Sequence, residues 1–487
     1  MATEFMHLPL IVEGLQNRNA VWLAVALVLF AGGCSRILRR QAPETHKRGV
    51  LLADGASLQR RSARRKKAVS DLLTVAGIAI PAADETKHFK LIGTTGTGKS
   101  TAIRELLGCA IARGDRAVFA DPDAGYLAHF YDRYRGDIVL NPFEPDSVKW
   151  DLFAEIHSSY DVEQLASGLI PNCEDPAARE WRGYARTFLA AVVRRCHTSG
   201  RRDVAELWRL LTVASADELR PIVAGTPAQP FLDPDNARMF GSIRSVTGSA
   251  IAALEYIQRQ RATAFSVREW VRTRTRPGML FIPYRAGQIA ALRSMIAAWM
   301  RLAIFEAMNQ DEGREECGGS DNRPLWFVID ELDALGQIDG LKDALARLRK
   351  FGARCILGFQ SIAQVSSTYG QGEAQTIVEN CANTLILRCS GSENGGTSQF
   401  ASRLIGEREI LRRQISRGKD RDSAFFPRSA RRSHSITDHH VTETAVMPSE
   451  LEQLPDLCGY LKSASSAVWL KVAFTHGRRP HGRAAVF

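Results

Sequence analysis

The chain has 487 residues, of which 45% are hydrophobic and 24% charged, a composition that indicates a globular protein and argues against a disordered one. A chain of this length provides about two or three globular domains. The 64 basic residues exceed the 53 acidic ones, and the resulting net charge of +11 favours a polyanionic partner such as nucleic acid or anionic lipid. The nine cysteines form no C-x-x-C pair, which argues against a zinc module and indicates ordinary thiols in a reducing compartment.

An uncharged, apolar stretch near the amino terminus predicts a membrane anchor. Residues 19–35 carry no charge, which is close to the shortest length that crosses a bilayer. Basic residues follow this stretch, and the positive-inside rule then places the long carboxyl-terminal body in the cytoplasm. We therefore expect 1–49 to be a membrane anchor with a transmembrane helix at about 19–35. A cleaved export signal fits less well, because it would export the nucleotide-binding body that follows.

A basic cluster comes after the predicted anchor. Its members are Arg60, Arg61, Arg64, Arg65, Lys66 and Lys67. A solvated segment resting on anionic lipid headgroups is the favoured interpretation, and a nucleic-acid contact is the alternative.

A phosphate-binding loop is the most specific motif of the chain. The segment Gly93-Thr94-Thr95-Gly96-Thr97-Gly98-Lys99-Ser100 has the spacing G-x-x-x-x-G-K-S, between the strand-like run 89–92 and the helical run that begins at Thr101. Glycines let backbone N–H groups converge on phosphate oxygens, and the helix amino end adds positive potential. We expect residues 93–101 to bind nucleotide, with Lys99 at the β and γ phosphates and the Ser100 hydroxyl on Mg²⁺.

Alternation of strand-like and helical segments predicts an α/β fold with a mainly parallel sheet. Strand-like runs lie at 89–92, 117–120 and 138–140, and again at 279–282, 325–329, 355–359 and 384–387. Between them, 151–276 shows helical periodicity and no convincing strand. The predicted domains are therefore 50–150 and 277–487 as two parts of a nucleotide-binding domain, with 151–276 as an all-helical insertion.

A second acidic motif completes the predicted catalytic site. The buried-strand run Leu325–Ile329 ends in Asp330 and Glu331. A carboxylate at the carboxyl end of a strand can hold Mg²⁺, and the next one can act as general base toward a water molecule. Capping of a following helix is the alternative, but the upstream phosphate loop favours catalysis. We assign Asp330 to the metal and Glu331 to the base.

Two further sites keep more than one interpretation at this level. The predicted helix 340–351 carries Arg347, Arg349 and Lys350, which either complement the helix dipole or supply an arginine finger to a neighbouring subunit. The strand 355–359 ends at Gln360, which either orients water beside the γ-phosphate or is a satisfied polar residue at the sheet edge. Asp121-Pro122-Asp123-Ala124-Gly125 also lies at this rim. Turn chemistry explains it, and only its location at the rim makes it a candidate for the nucleotide cleft.

The segment from Arg412 to Arg432 is strongly basic. It contains eight basic residues against Asp420 and Asp422, and no apolar periodicity is visible. A mobile basic segment is predicted there.

The ordered set of motifs resembles the type IV coupling proteins of conjugation, the TraD/TrwB class, which are related to FtsK-type DNA translocases. The resemblance covers about residues 50–475. It rests on 93–100, Asp121-Pro122, Asn141-Pro142, 327–332, 358–361, Tyr369-Gly370 with 374–376, and Met447-Pro448 with 454–456. Members usually have two membrane helices, whereas one span is visible here, so the number of spans stays open.

The resemblance implies a RecA-like P-loop NTPase in the bacterial inner membrane, assembled as a homo-hexamer. It implies an ATPase that uses ATP and Mg²⁺ to move single-stranded DNA, with a bound relaxase, toward type IV secretion channel components. It also implies that Arg349 is the arginine finger acting in trans and that Gln360 is the sensor glutamine.

Two other functions remain open from the sequence. A double-stranded DNA translocase of the FtsK type would need the same ATP-hydrolysing residues. A nucleotide-switched membrane receptor for a relaxase would bind nucleotide without a hydrolytic role, although the intact Glu331 beside Asp330 argues against it.

Overall fold

The computed structural model describes residues 45–59, 72–173, 175–273, 277–309, 323–392, 395–419 and 432–474, and these form two compact units. The larger unit contains the described residues of Leu51–Ile405 and of the chain from Val446 onward. The smaller one contains the described residues up to Val50 together with those of Gly406–Ala445.

Two predicted features lie outside the described residues: the transmembrane helix at 19–35 and the basic cluster at 60–67. Among the helices that are described, none is both long enough and apolar enough to cross a bilayer.

The larger unit is built on a sheet that has ten strands in the described part of the chain. In chain order the strands are β1 (Leu51–Asp54), β2 (Phe89–Ile92), β3 (Arg116–Pro122), β4 (Ile138–Val139), β5 (Met279–Tyr284), β6 (Leu325–Ile329), β7 (Arg354–Phe359), β8 (Asn383–Ile386), β9 (Cys458–Lys462) and β10 (Val468–Ala473). They lie side by side in the order β1-β10-β9-β8-β2-β7-β6-β3-β5-β4. From β8 to β4 each strand is parallel to the next, whereas β9 is antiparallel to β8 and β10. The predicted α/β fold with a mainly parallel sheet is confirmed.

Burial on both faces explains why the central strands are mostly apolar. Every residue of β2, β5 and β6 is buried, and β6 has the continuous apolar sequence LWFVI. The helix Lys99–Ala112 covers one face of this sheet with Ile103, Leu106 and Leu107, each at most 2% exposed. The packing fixes the start of that helix relative to the end of β2.

Helices flank the strands in both halves of the chain. Those before the helical stretch are α1 (Ala82–Glu85), α2 (Lys99–Ala112) and α3 (Leu127–Phe130). Those of the stretch itself are α4 (Asp161–Leu169), α5 (Pro176–Thr198), α6 (Val204–Thr212), α7 (Ala216–Val223), α8 (Ala237–Ala250), α9 (Leu254–Arg259) and α10 (Val267–Arg272). Those that follow it are α11 (Ile289–Met308), α12 (Leu341–Leu348), α13 (Ile362–Tyr369), α14 (Gln371–Asn380), α15 (Gly396–Ile405) and α16 (Pro448–Glu452).

The stretch between β4 and β5 is mostly helical, with its own buried side chains. Phe188 and Val192, which carry the predicted periodicity of α5, are both fully buried. The stretch also contains a strand, Ala264–Phe265, that pairs in parallel with Lys149–Trp150. Two residues are too few for a strand period to be visible in the sequence, so this pairing was not expected. The domain boundaries 50–150, 151–276 and 277–487 stay a prediction.

The smaller unit corrects the prediction for the basic segment. Glu407–Lys419 and Arg432–Thr444 form a long antiparallel pair, and Thr45–Gly49 adds a third strand beside the first. The predicted mobile segment is therefore wrong for residues 412–419 and for Arg432, while 420–431 lie outside the described residues. Apolar alternation is missing because charged residues such as Arg412 and Arg413 are exposed, and Arg413 forms an ion pair with Asp438 on the paired strand.

Candidate nucleotide-binding site

The order of the strands brings the predicted site residues to one edge of the sheet. The phosphate loop follows β2, Gln360 follows β7, and Asp330 and Glu331 follow β6. Because β7 lies between β2 and β6 and all three are parallel, their carboxyl ends are neighbours. Residues that are more than 200 positions apart in the sequence become neighbours in this way.

Glycine makes the backbone geometry of the phosphate loop possible. Gly96 and Gly98 have φ angles of 77° and 117°, in the left-handed region. A Cβ at Gly98 would also lie 2.8 Å from Leu457 Cδ2. Within the loop, Thr97 Oγ1 donates to Thr94 O at 2.7 Å. These contacts hold the loop at the amino end of α2, where N–H groups without intrahelical partners attract anions.

Lys99 is buried against the loop that it follows. Its Nζ donates to Gly93 O at 2.7 Å and to Thr94 O at 3.3 Å. Burial lowers the pKa of Lys99, and the nearby charges of Asp330 and Glu331 oppose that shift. The cation therefore lies next to two carboxylates, where an anionic ligand would compete with the loop carbonyls for it.

The structure brings Ser100 and Asp330 into direct contact. Ser100 Oγ donates to Asp330 Oδ2 at 2.8 Å, which joins the first turn of α2 to the end of β6. The Tyr126 hydroxyl donates to the same carboxylate oxygen at 2.6 Å. Gly358 permits the close approach of β7, since a Cβ there would lie 2.4 Å from Asp330 O and 2.8 Å from Asp330 Oδ1.

Glu331 and the phosphate loop are connected through Gln360. Gln360 Nε2 donates to Glu331 Oε1 at 3.1 Å, and Thr95 Oγ1 donates to Gln360 Oε1 at 2.8 Å. Burial raises the pKa of Glu331, and the charges of Asp330 and Asp333 raise it further. A carboxylate with a raised pKa is a stronger base, which suits proton abstraction from water near neutral pH.

These groups line one open cleft of about 200 Å³. Its lining comprises Thr95, Gly96, Gly98, Lys99, Ser100, Thr101, Asp330, Glu331, Gln360 and Leu457. Of the predicted nucleotide-binding residues, Gly93, Thr94 and Thr97 do not line the cleft. They accept or donate the hydrogen bonds that hold the loop in shape.

Arg349 lies at the other end of the sheet from this cleft. It is exposed, it follows α12, and its charge helps to lower the pKa of His88, which precedes β2. The chain then crosses the sheet along the six residues of β7 before it reaches Gln360. At about 3.3 Å per residue, this strand separates Arg349 from the cleft of its own chain by roughly 20 Å.

Two residues of the site escaped the sequence interpretation. Tyr126 follows the turn after β3 and reaches Asp330, whereas Asp121 turns away from the cleft and accepts the N–H groups of Tyr126 and Leu127. Leu457 contacts the phosphate loop through its own N–H, which donates to Thr97 O at 2.9 Å. The rim position of Asp121-Pro122 was the available signal for Tyr126, and the motif 454–456, which directly precedes Leu457, was the available signal for Leu457.

A comparison with protein families matches residues 72–475 to the type IV secretion-system coupling protein DNA-binding domain. Coupling protein TraD of Escherichia coli K12 is 29% identical over 475 residues, covering 94% of this chain and 63% of TraD. The chain thus spans about three fifths of that relative's length.

Solved structures of the coupling protein TrwB are similar in fold as well as in sequence. The unbound TrwBΔN70 structure has a TM-score of 0.77 and 30% identity, covering 91% of this chain and 97% of that one. Complexes of TrwB with the ATP analogue ADPNP, and with ADP and Mg²⁺, each have a TM-score of 0.76 at the same identity, covering 91% of this chain and 98% and 97% of theirs. The resemblance predicted from the motifs is confirmed, and the chain belongs to the family of type IV secretion-system coupling proteins.

Proposed function

We propose that this protein is an ATP-driven motor that couples a relaxase–single-stranded DNA complex to a type IV secretion channel during conjugation. The contact that carries the proposal is the 2.8 Å hydrogen bond between Ser100 Oγ and Asp330 Oδ2. It joins the phosphate loop to the strand-terminal carboxylate within one cleft that also contains Lys99 and Glu331.

The residues present fit ATP and Mg²⁺. Hydroxyl and carboxylate oxygens are the ligands that Mg²⁺ prefers, and Ser100 and Asp330 supply both. TrwB binds an ATP analogue, and ADP with Mg²⁺, in structures that share this fold. When bound, Mg²⁺ would neutralise charge on the β and γ phosphate oxygens.

Different residues of the chain have different roles in hydrolysis. Lys99, already desolvated beside the loop, binds phosphate oxygens once it leaves the carbonyls of Gly93 and Thr94. Glu331 takes a proton from the attacking water, while Gln360 holds its Oε1. Arg349 serves the cleft of an adjacent subunit, because it lies too far from its own.

The DNA-directed part of the proposal rests on charge and on family. The matching family model describes a DNA-binding domain, and the net charge of +11 supports contacts with phosphates. We further propose a homo-hexamer in the bacterial inner membrane, with the bulk of the chain cytoplasmic, that receives the relaxase and contacts the secretion channel. A ring would bring Arg349 of one subunit to the site of the next.

Steady-state ATPase turnover, measured against protein concentration with and without single-stranded DNA, tests the proposal. We expect turnover per subunit to rise with concentration and to rise further with DNA. Lys99→Ala should abolish hydrolysis and leave DNA binding unchanged. Competition between single- and double-stranded DNA in this ATPase assay distinguishes the proposed motor from a double-stranded DNA translocase. Equal turnover with and without DNA at every concentration would contradict the motor proposal.

A further inference from the structure

The turn after β3 has an unfavourable backbone conformation at two successive residues. Asp123 and Ala124 both have a φ of 55°, in the left-handed region where a Cβ crowds the following carbonyl. Two non-glycine residues in a row with this conformation need outside contacts to hold them. The contacts that hold this turn therefore indicate which side chain its conformation positions.

Side chains on three sides hold the turn. The Asp121 carboxylate accepts the N–H groups of Tyr126 at 2.9 Å and Leu127 at 2.7 Å. Arg104, on α2, donates from Nη2 to Gly125 O at 3.3 Å. The ring of Tyr126 stacks on Phe119 of β3 with centroids 5.6 Å apart. The strained turn thus fixes both the backbone and the ring of Tyr126.

The result is a phenol aimed at the carboxylate that follows β6. Tyr126 is 2% exposed, and its hydroxyl donates to Asp330 Oδ2 at 2.6 Å. Ser100 donates to the same oxygen. The other oxygen, Oδ1, is buried and has no hydrogen-bond partner among the described residues, so these two hydroxyls are the donors that orient this carboxylate.

We propose that Tyr126 is a positioning residue that orients Asp330 for Mg²⁺, held in place by the strained turn at Pro122–Gly125. The proposal deepens the nucleotide-binding function proposed above and rests on it. Ser100 would have two tasks in that function, because its hydroxyl oxygen would bind the cation while its proton is donated to Asp330. Tyr126 does not line the cleft, so its hydroxyl can remain on Asp330 when the cleft is filled.

Tyr126→Phe keeps the ring and its stacking but removes the donor. A fluorescent ADP analogue, bound to the full chain and titrated with Mg²⁺, measures the metal requirement without any hydrolysis. We expect the half-saturating Mg²⁺ concentration to rise roughly tenfold or more, as is usual when a residue that orients a metal ligand is lost. Affinity for the analogue in EDTA should stay unchanged.

Tyr369→Phe is the matched control. Tyr369 is also 2% exposed, and its hydroxyl contacts the backbone of Ile338 and Gly336 rather than the metal carboxylate. This variant should keep the wild-type Mg²⁺ midpoint. A Tyr126→Phe midpoint within twofold of wild type, or an equal shift in both variants, would overturn the proposal. If the wild-type chain itself failed to bind the analogue, the nucleotide-binding function would fail instead.

Hydrogen–deuterium exchange on the wild-type chain gives a second measurement that needs no variant. Mg²⁺ added to the ADP-bound chain should slow exchange in the peptide that contains Tyr126 and Leu127, because the turn is connected to the metal carboxylate. Exchange in this peptide that is the same with Mg²⁺ and with EDTA would contradict the inference.

Discussion

Gln360 Nε2 donates a hydrogen bond to Glu331 Oε1 at 3.1 Å, across the gap between the ends of β7 and β6. The Oε1 atom of the same amide accepts the Thr95 hydroxyl at 2.8 Å. One side chain therefore connects the phosphate loop with the proposed general base. Because each end of the amide has a partner, any displacement of the loop would also disturb the hydrogen bond to Glu331.

Gln360→Leu should slow hydrolysis without removing nucleotide. The leucine has similar size but neither accepts from Thr95 nor donates to Glu331. We expect turnover to fall roughly 100-fold, since a displaced base loses most of its contribution to proton transfer. Affinity for ADPNP, measured by calorimetry, should change little. Thr95→Val is the control: it removes one end of the connection and should cost less, because Glu331 keeps its donor. Unchanged turnover in Gln360→Leu would refute the role.

Arg349→Ala should abolish turnover of the assembled protein, because Arg349 would act in the cleft of an adjacent subunit. An arginine finger contributes on the order of 10³-fold to turnover, and Arg349 lies too far from the cleft of its own chain to act there. Mixing Arg349→Ala chains with Lys99→Ala chains should restore part of the activity, as each provides what the other lacks. Arg347→Ala and Lys350→Ala, at exposed neighbouring positions, are the controls. No recovery in the mixture, with the assembly intact, would argue against a role in trans.

Local sequence patterns predicted the strands and the phosphate loop because those features have local causes. The buried run at 325–329 and the glycine spacing of 93–100 each carry their signal within a few residues. The order of the strands was not available in the same way. That β7 separates β2 from β6, and so places Gln360 between Thr95 and Glu331, depends on packing of the whole sheet.

Some site residues whose partners lie far away in the sequence were not predicted, for the same reason. Tyr126 reaches Asp330 through a turn whose conformation depends on Asp121 and Arg104, and no local pattern encodes that combination. In the long pair Glu407–Lys419 and Arg432–Thr444, described side chains such as Arg412 and Arg413 are exposed, so the apolar alternation that reveals a half-buried strand is missing there.

His88 shows how the strand of the phosphate loop depends on a neutral imidazole. The ring is 2% exposed, accepts the Cys355 N–H at Nδ1 at 3.1 Å, and contacts Leu345 O through Nε2 at 2.9 Å. This pattern fits the neutral ring with its proton on Nε2. Burial, together with the charges of Arg349 and Arg354, lowers the pKa of His88 from 6.5 to about 4. Protonation of the ring would place a proton on Nδ1, so that two donors, this N–H and the Cys355 N–H, would face each other.

His88→Asn should weaken the loss of stability in acid. A depressed histidine pKa contributes stability that is present above pH 6.5 and is lost as the pH falls toward about 4. Between pH 7.5 and 4.5 this group should cost the wild type about 2–3 kcal/mol of unfolding free energy. Asparagine tolerates the positive φ of 53° at this position and does not titrate. Urea denaturation at both pH values should show a smaller acid-induced drop in the variant, although the variant is less stable at pH 7.5. His439→Asn, at an exposed position, should keep the wild-type drop, and equal drops in all three proteins would show that His88 is not responsible.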